Sequence, residues 1–489
     1  MIDPANPFQR ALAAPVVLAL AALVAVTLLN PLGYRGGGGD DWHYLEAARC
    51  AAAHGLCPPV SHWWARLPLV APMGLALAAG GESRAVVGLI PFAYALAALA
   101  CFTLLVQRHF GRGAAAVAGL LMASVPVAAF AYLQPNVDLP ELALLMAGLL
   151  ALDSAARDGR RRWAFAAGAL LGLAILTRPT ALVALPILVP LILAHRPLRR
   201  LAVPLALGIA APLLLEALLY GLWLGDPLQG WRLSLGHAAA ATDELPVGFH
   251  SARGPLFNPD YIAGWRRPMG IHVHWTLDPV LNLLGNPSMG FLLVAALLLL
   301  LLDRPSGDEA EGRAAYWLLG GAILYFGALT YALAVDPKPR MFLPVAAAAA
   351  AIAGLQAMRL KRRGRGLLAA LLVAAVVALQ LARIHYEPGL AGLEPAARAW
   401  VAEDGAVLAV ENRSARFLTL VPGVRGLPIH PAAGRPLLLV VGFERCEALP
   451  DGRGRPVQRA FYLPAGRGGE RLALCLFSGP AGPAPAPRP

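Results

Sequence analysis

The chain has 489 residues, of which 58% are hydrophobic and 14% are charged. Soluble globular domains carry roughly 45–50% apolar and about 25% charged residues, so this composition excludes an ordinary soluble protein. The net charge of +12 does not by itself indicate a nucleic-acid partner, because the cytoplasmic loops of membrane proteins collect Lys and Arg. We predict a polytopic α-helical membrane protein that contacts membrane lipids and binds no nucleic acid.

The apolar segments are long enough to cross a membrane many times. A spanning helix needs roughly 20 apolar residues, and the chain contains about eleven such segments. The first is too long for a signal-peptide core and lacks a small-residue cleavage site, so we expect it to be retained. The predicted spans are residues 11–30, 85–106, 114–131, 138–153, 163–177, 180–195, 201–224, 287–302, 314–335, 341–358 and 366–383.

Basic residues alternate with the spans and predict the orientation of the chain. The connections between spans near Gln134, Thr177 and Lys338 contain few Lys or Arg residues. The connections that alternate with these along the chain each contain at least two. Because Lys and Arg mark cytoplasmic loops, we expect a cytoplasmic N-terminus and a C-terminus outside. High Ala, Arg, Gly and Pro content indicates a bacterial gene, and hence a bacterial inner membrane. The basic loops are residues 108–112, 157–162, 196–200, 304–313 and 359–365.

This orientation leaves residues 31–84, 225–286 and 384–489 on the outer, periplasmic side. The inner loops are too short to contain a nucleotide-binding domain, and no Walker-type loop is present. We therefore expect a transmembrane catalytic domain at 1–384 and a small extracytoplasmic α/β domain at 385–478, followed by a disordered tail at 479–489. Within the second domain the pattern predicts a helix at 395–404 and strands at 406–410, 436–442 and 471–477.

Four of the cysteines fall as local pairs in outer segments. Cys50 and Cys57 share the first outer loop, and Cys446 and Cys475 share the C-terminal segment. An oxidising compartment favours a disulfide within each pair. The alternative is four unpaired thiols.

Acidic residues at outer helix ends are the first candidates for chemistry, since such residues are rare near a membrane without a function. Four glycines precede Asp40 and Asp41 and allow a sharp turn after the first span. We expect Asp41 to cap a helix that starts at Trp42 and ends before Gly55, which leaves Asp40 at the membrane surface. The alternative is that both carboxylates serve as caps.

A second acidic pair and several basic residues lie at other outer turns. Asp138 and Glu141 follow the turn Gln-Pro-Asn, where a helix N-terminus would also favour carboxylates. Arg178, Lys338 and Arg340 lie at outer helix ends, where cations can neutralise a phosphate at the membrane surface. The alternative for these cations is snorkelling without a ligand.

The outer loops contain further candidates for substrate contacts. Arg66, in the segment His-Trp-Trp-Ala-Arg, is placed to meet a lipid head group, and Trp231 belongs to a set of loop aromatics that either stack on a sugar or anchor at the interface. The pair His272 and His274 is weak evidence for a metal site, so we assign no metal ligands and no certain cofactor. A divalent metal requirement stays open.

Taken in order, these segments resemble the GT-C glycosyltransferases over roughly residues 1–385. The resemblance rests on DDWHYLEAAR, RLPLVAPMGLAL, QPNVDLPELALL, LTRPTALVALPILVPLIL and KPRMFLPVAA. More specifically, these segments resemble the branch of protein O-mannosyltransferases and aminoarabinose transferases (glycosyltransferase family 39-like). Asp40 and Asp41 match the acidic pair of that family, although the second member is usually Glu, and Asp138 matches a further acidic position.

The resemblance implies transfer of a sugar from a polyprenyl-phosphate donor to a glycan, lipid or protein acceptor at the outer face. Such a displacement needs one carboxylate base and cations for the departing phosphate. We expect Asp40 to be the base, assisted by Asp41 and Asp138, and inversion at the anomeric carbon. The phosphate-binding candidates are Arg178, Lys338 and Arg340, and the substrate-binding candidates are Tyr44, Glu141 and Arg66.

Two other classes of function stay open at the sequence level. A transporter or flippase for a lipid-linked saccharide would place ionisable groups near the bilayer midplane, often within internal repeats. Here the span interiors are almost free of charge, with Glu216 as the main exception, and no repeated half is visible. A scaffold of envelope assembly would use the outer domain to bind partners and would not need the acidic pair.

Overall fold

The computed structural model describes residues 7–28, 40–194, 196–234, 276–304, 310–333 and 339–384, three positions at 398, 399 and 402, and five strands between 408 and 477. The described part up to residue 384 is helical. Its first eight helices are α1 (Pro7–Leu28), α2 (Asp40–His54), α3 (Leu67–Gly80), α4 (Arg84–Ala123), α5 (Pro126–Ala129), α6 (Asp138–Asp158), α7 (Arg161–Thr177) and α8 (Ala184–Ala194).

Seven further helices complete this part of the chain. They are α9 (Arg196–Arg199), α10 (Ala202–Leu224), α11 (Asp278–Gly285), α12 (Gly290–Leu302), α13 (Ala310–Gly327), α14 (Leu343–Arg362) and α15 (Gly366–Arg383). Short 3₁₀ segments, Pro179–Val183 and Pro339–Phe342, precede α8 and α14, and a π-helical turn, Ala328–Ala332, follows α13. A helical stretch at 229–234 reaches the edge of a described range.

Helix α4 is two helices joined at Gly111. This glycine has φ 82° and ψ 174°, a conformation that L side chains rarely adopt. A Cβ at Gly119 would lie 3.1 Å from Thr103 Oγ1, so the chain after Gly111 folds back beside the chain before it. The break therefore lies between the two segments that the sequence predicts as separate spans.

Apolar helices long enough to cross a membrane establish a multi-pass membrane protein. Within the described ranges six helices meet this criterion, and the bent pair formed by 279–285 and Gly290–Leu302 makes a seventh if counted as one span. Each predicted span contains a helix, but several of these helices, such as α7 with 17 residues and α8 with 11, are shorter than a full crossing. The count of eleven stays a prediction.

Small residues bring the backbones of α7 and α10 into contact. A Cβ added at Gly168 would lie 2.1 Å from Leu205 O, and one at Gly208 would lie 2.2 Å from Phe165 O. Membrane helices pack closely through such residues because lipid chains provide no hydrophobic driving force for association. The contact fixes the end of α7 relative to the outer half of α10.

Ion pairs connect four of the predicted inner loops, which lie at one end of the bundle. Asp153 faces Arg108 and Arg157, with N–O distances of 3.0 Å in both pairs. Asp303 faces Arg359 at 3.1 Å and is itself buried. Because α6 and α14 end at these loops, their first residues, Asp138 and Leu343, lie at the opposite end of the bundle.

The first outer loop forms two packed helices. Helix α2 buries Trp42, Leu45 and Ala48, and a Cβ at Gly74 of α3 would lie 3.3 Å from Ala48 O. No helix was predicted at α3, which lies within the predicted outer segment 31–84. A disulfide joins Cys50 to Cys57, as predicted.

Five strands of the C-terminal segment form one mixed sheet. They are β1 (Leu408–Val410), β2 (Val424–Gly426), β3 (Leu437–Gly442), β4 (Arg453–Pro456) and β5 (Leu472–Phe477), in the order β2-β1-β3-β5-β4. Strand β1 pairs in parallel with β2 and β3, whereas β5 pairs antiparallel with β3 and β4. The three predicted strands overlap β1, β3 and β5. Strands β2 (Val-Arg-Gly) and β4 (Arg-Gly-Arg-Pro) were not predicted, because they lack the run of apolar and β-branched residues that indicates a strand.

Other predictions for this segment fall outside the described residues. These are the tail from 479 and Cys446, the predicted disulfide partner of Cys475. Of the predicted helix at 395–404, the structure describes positions 398, 399 and 402 alone. The separate domain at 385–478 therefore stays a prediction.

Candidate functional site

Four helix ends meet at the end of the bundle opposite the basic loops, and each contributes a charged side chain. Asp40 begins α2, Asp138 and Glu141 occupy the first turn of α6, Arg178 follows α7, and Arg340 lies in the 3₁₀ segment before α14. Their ion pairs form an alternating series of acidic and basic groups. We refer to these five residues as the charged cluster.

Arg340 connects the outer and inner parts of the charged cluster. Its Nη2 donates a hydrogen bond to Asp40 Oδ2, and its Nε lies 3.6 Å from Asp138 Oδ2. The side chains of Arg340 and Asp40 are 36% and 35% exposed, whereas that of Asp138 is 2% exposed. A molecule that arrives from outside therefore meets Asp40 and Arg340 first.

The inner part of the cluster is buried and fully paired. Arg178 Nη1 donates a hydrogen bond to Asp138 Oδ1 and lies 3.9 Å from Glu141 Oε2. Glu141 Oε1 also accepts hydrogen bonds from Tyr325 OH at 3.2 Å and from Thr180 Oγ1 at 3.4 Å. Burial lowers the pKa of Arg178, but the neighbouring carboxylates outweigh that effect and raise it above its ordinary value.

A short capped turn places the carboxylates of α6. Asn136 Oδ1 accepts a hydrogen bond from Leu139 N at 3.0 Å, while its Nδ2 donates to Ala131 O at 3.0 Å. The cap closes the first turn of α6, where the helix dipole favours Asp138 and Glu141. Helix-end stabilisation and ion pairing with Arg178 therefore act together on these two carboxylates.

Tyr44 and Arg66 lie against the inner side of the cluster. Burial, reinforced by the charge of Asp40, raises the pKa of Tyr44 well above its ordinary value, so its phenol is neutral and can donate a hydrogen bond. Burial lowers the pKa of Arg66, although the Tyr44 and Glu216 side chains partly oppose this. Both residues are buried, unlike Asp40.

The start of α2 differs from the sequence-based expectation. The helix begins at Asp40 and not at Trp42, so Asp41 lies within the first turn and is buried. Its predicted role as the cap is therefore wrong. The dipole of a helix N-terminus favours carboxylates throughout the first turn, so two adjacent aspartates do not specify which of them begins the helix. The predicted end before Gly55, which has φ +81°, is correct.

Some of the predicted site residues lie outside the described residues. Lys338 is one, and so are His272 and His274. No group of three or more His, Cys, Asp or Glu side chains that could hold a metal ion occurs in the described part of the chain.

The structure adds residues to the site that sequence reasoning missed. Tyr325 lies in the apolar helix α13, 184 residues from its partner Glu141, and nothing in the local pattern distinguishes it from an interfacial anchor. Thr180 belongs to the segment LTRPTAL, but a single hydroxyl carries no signal of its own. Both residues could be identified as part of the site only from the tertiary structure.

Comparison with known proteins gives one partial family match. Residues 58–220 match the family described as dolichyl-phosphate-mannose-protein mannosyltransferase, which is less than half of the chain. The match includes Asp138, Glu141 and Arg178 of the charged cluster. No curated protein sequence matches the chain.

Solved structures match over most of the chain. ArnT from Cupriavidus metallidurans bound to undecaprenyl phosphate is 19% identical, with a TM-score of 0.51, over 95% of this chain and 98% of that one. The oligosaccharyltransferase AglB from Archaeoglobus fulgidus, in complex with an inhibitory peptide and a dolichol-phosphate, is 14% identical, with a TM-score of 0.52, over 86% of this chain. The chain has the GT-C fold.

The matches confirm the resemblance to GT-C glycosyltransferases, and the enzyme class that it implies agrees with the partial family match. This chain matches ArnT over nearly its whole length but spans 65% of the AglB chain. At these identities the shared feature is the fold, and the activity of a relative does not transfer residue by residue.

Proposed function

We propose that this protein transfers a sugar from a polyprenyl-phosphate donor to an acceptor at the periplasmic face of a bacterial inner membrane. The observation that carries the proposal is the pair of Asp40 and Arg340, about one-third exposed and held by a buried ionic cluster at the end of the bundle opposite the basic loops. The partial family match supports the reaction class. The undecaprenyl phosphate of ArnT and the dolichol-phosphate of AglB support the donor class.

The pair supplies the two groups that a single displacement needs. Asp40 accepts the proton of the acceptor as the acceptor atom forms its bond to the anomeric carbon. The bond between that carbon and the phosphate oxygen breaks, and its electron pair leaves with polyprenyl phosphate. Arg340 stabilises the departing charge through its guanidinium hydrogen bonds. One displacement inverts the anomeric configuration.

Arg340 changes partner when the donor binds. Before binding, its positive charge favours the ionised form of Asp40, which a base requires. An incoming phosphate competes for the Nη2 donor and releases Asp40 toward the acceptor, while Asp138 still faces Nε. Asp138 is thus a positioning residue in this proposal. Because Arg178 faces two buried carboxylates, it also serves better as a positioning residue than as a phosphate ligand.

The remaining site residues support this geometry. Neutral Tyr44 and buried Glu141 line the inner side of the cluster and offer hydrogen bonds to a sugar or to Asp40. Asp41, in the first turn of α2, lies beside the base and contributes negative charge there. Lys338 precedes the 3₁₀ segment of Arg340 and is proposed as a second phosphate-binding cation.

We place the site on the periplasmic side, with eleven spans, a cytoplasmic N-terminus and a periplasmic domain at 385–478. The distribution of Lys and Arg supports this orientation, because the basic loops lie at the end that α6 and α14 reach, away from Asp138 and Leu343. A lipid-linked donor suits a compartment where nucleotide sugars are not supplied.

A turnover assay tests the function directly. Purified protein in nanodiscs is incubated with radiolabelled undecaprenyl-phosphate sugars, and release of free undecaprenyl phosphate is measured. We expect Asp40→Asn to lower the rate by about 10²–10⁴-fold, the usual contribution of a positioned base. Glu82→Gln is the matched control, because Glu82 pairs with Arg49 outside the charged cluster.

The outcomes separate the competing functions. Equal rates for the wild type and Asp40→Asn would show that Asp40 is not the base. A flippase would carry the lipid-linked sugar across a liposome membrane without cleaving it, which would contradict transfer. NMR of the product tests the displacement, because retained anomeric configuration would rule out a single inverting step.

A further inference from the structure

Helix α2 exposes a line of side chains that begins at Asp40. The side chains of Asp40, His43 and Glu46 are 35%, 37% and 39% exposed. Because residues three apart on a helix are neighbours on its surface, these side chains form one stripe, which we call the α2 stripe. His43 Nδ1 lies 3.4 Å from Glu46 Oε2, so the two share a face. The residues between the members of the stripe are buried: Asp41, Trp42, Tyr44 and Leu45.

Partly exposed aromatic rings border the α2 stripe. His43 stacks on Trp63, with ring centroids 4.2 Å apart and an angle of 23° between the ring planes, and His62 packs on Trp63 at 3.8 Å. We call these three residues the ring cluster. The disulfide between Cys50 and Cys57 joins α2 to the segment that leads to Trp63. The ring cluster is thus held against α2 on the face that carries Asp40.

An acceptor whose hydroxyl donates to Asp40 must extend over the surface next to that carboxylate. Arg340 occupies one side of Asp40 through its hydrogen bond, and the next residue of α2 is buried. The exposed surface of α2 continues from Asp40 along the stripe to Glu46. The stripe runs for about 9 Å along the helix axis, at a rise of about 1.5 Å per residue, which is the length of a disaccharide.

The chemistry of this surface favours an uncharged sugar. The flat faces of Trp63 and His43 suit the carbon face of a sugar ring, and Glu46 accepts hydrogen bonds from hydroxyl groups. The carboxylates of Asp40 and Glu46 repel an anion. The arginine of α2, Arg49, does not offset them, because its Nε donates to Glu82 Oε1 at 2.9 Å. A phosphate or carboxylate acceptor is therefore disfavoured here.

We propose that the α2 stripe and the ring cluster bind the acceptor, and that this acceptor is an uncharged sugar of a glycan. The inference rests on the proposed function and names its acceptor class. The acceptor sugar lies on Trp63 and His43 with one hydroxyl at Asp40. The oxygen of that hydroxyl bonds to the anomeric carbon of the donor and its proton passes to Asp40. The bond from that carbon to the phosphate oxygen breaks, and its electron pair leaves with polyprenyl phosphate.

Binding of simple sugars tests the surface without turnover. The full chain in nanodiscs is titrated with maltose, cellobiose and mannobiose, and binding is followed by saturation-transfer NMR. We expect the wild type to bind at least one of them, and Trp63→Ala and His43→Ala to weaken that binding about tenfold. Trp63→Phe should recover most of it, because a ring remains. The affinity of these variants for undecaprenyl phosphate should not change, which shows that they are folded.

Two matched controls remove the same side chains elsewhere. Trp163 is 38% exposed at the start of α7, at the end of the bundle that carries the basic loops. His54 is exposed at the last position of α2, away from the stripe. Trp163→Ala and His54→Ala should bind the disaccharides as the wild type does. Weakening in these variants equal to that in Trp63→Ala and His43→Ala would contradict a specific surface.

The charge of the acceptor and its role in transfer are tested with the same disaccharides. The uronic-acid form of each one carries a carboxylate and should bind more weakly than the neutral form. Equal or tighter binding of the acid would contradict an uncharged acceptor. With a radiolabelled undecaprenyl-phosphate sugar present, a disaccharide that binds should become labelled, and Trp63→Ala should raise its KM. A disaccharide that binds through Trp63 and is never labelled would show that the surface is not an acceptor site.

The inference and the proposed function fail separately. If the wild type binds no disaccharide, or if Trp63→Ala binds them equally well, the inference is wrong, while donor cleavage that requires Asp40 would leave the proposed function intact. Binding of a serine-containing peptide in place of the disaccharides, lost in Trp63→Ala, would overturn the glycan acceptor in favour of a protein. A wild type that cleaves no lipid-linked donor would overturn both proposals.

Discussion

Arg340 donates a hydrogen bond to Asp40 across 300 residues of sequence. The contact joins the start of α2 to the segment before α14, and both side chains are about one-third exposed. A charge pair of this kind contributes little to stability at a surface. Its position at the mouth of a buried ionic cluster is more easily explained by a ligand that replaces one of the partners.

The first prediction concerns the affinity of Arg340 for the lipid phosphate. Arg340→Gln should weaken binding of undecaprenyl phosphate by about tenfold to a hundredfold, because hydrogen bonds to a charged group are lost. Arg340→Lys should recover part of the affinity, since a lysine keeps the charge but not the planar fork. Binding to protein in nanodiscs is measured by competition with radiolabelled lipid.

Arg232→Gln provides the control for this prediction. Arg232 is exposed and faces Asp226 at 3.2 Å, outside the charged cluster. Its loss removes the same charge and should not change the affinity for the lipid. Comparable weakening in both variants would mean that Arg340 acts through the net charge of the protein and not as a phosphate ligand.

The second prediction concerns the buried pair of Asp138 and Arg178. Removing one partner of a buried pair costs about 3–5 kcal/mol, because the other charge loses its compensation. We expect Asp138→Asn and Arg178→Gln each to lower the apparent melting temperature clearly. The double variant should lose less stability than the two single variants combined, since both charges are then absent.

Thermal unfolding in detergent, followed by circular dichroism, measures this coupling. Arg232→Gln again serves as a reference, because exposed ion pairs contribute about 0–1 kcal/mol. Strictly additive losses in the double variant would show that Asp138 and Arg178 do not stabilise each other. In that case the positioning role proposed for the pair would have no energetic basis.

Composition and charge were sufficient to predict much of the helical framework. The apolar runs predict a helix at every predicted span, and the loop arginines predict which helix ends share a side. Helix α3 was missed because its residues were assigned to an outer segment, although Pro68 lies in its first turn, where proline is tolerated. The start of α2 was misplaced by two residues because two adjacent aspartates compete for the same cap.

The charged cluster was predictable as a list of residues but not as a set of contacts. Rare acidic and basic residues at outer helix ends identify Asp40, Asp138 and Arg340 as candidates. Which of them face solvent depends on how α2, α6 and the segment before α14 meet. The approach of Arg66 to Glu216 likewise depends on how the start of α3 meets α10, which no local sequence pattern specifies.

The third prediction concerns orientation in the membrane. Single cysteines are introduced at Ala53, exposed in α2, and at Arg365, exposed before α15, in a chain without other cysteines. A maleimide that cannot cross membranes should label Ala53→Cys in cells with a permeable outer membrane, and label Arg365→Cys only after lysis. Labelling of Arg365→Cys alone in intact cells would place the charged cluster in the cytoplasm.

The fourth prediction concerns the close contact of α7 with α10. Gly168→Ala would place a Cβ 2.1 Å from Leu205 O, 2.8 Å from Ile209 N and 2.9 Å from Gly208 Cα, all of them backbone atoms. The helices must separate, at a cost of roughly 1–3 kcal/mol for an overpacked contact. We expect a lower apparent melting temperature.

Melting temperatures of the wild type, Gly168→Ala and a matched control test this contact. Gly320→Ala is the matched control, since a Cβ there meets nothing within 4 Å and alanine favours the helix. Equal melting temperatures in the two variants would show that the close contact of α7 with α10 does not contribute to stability.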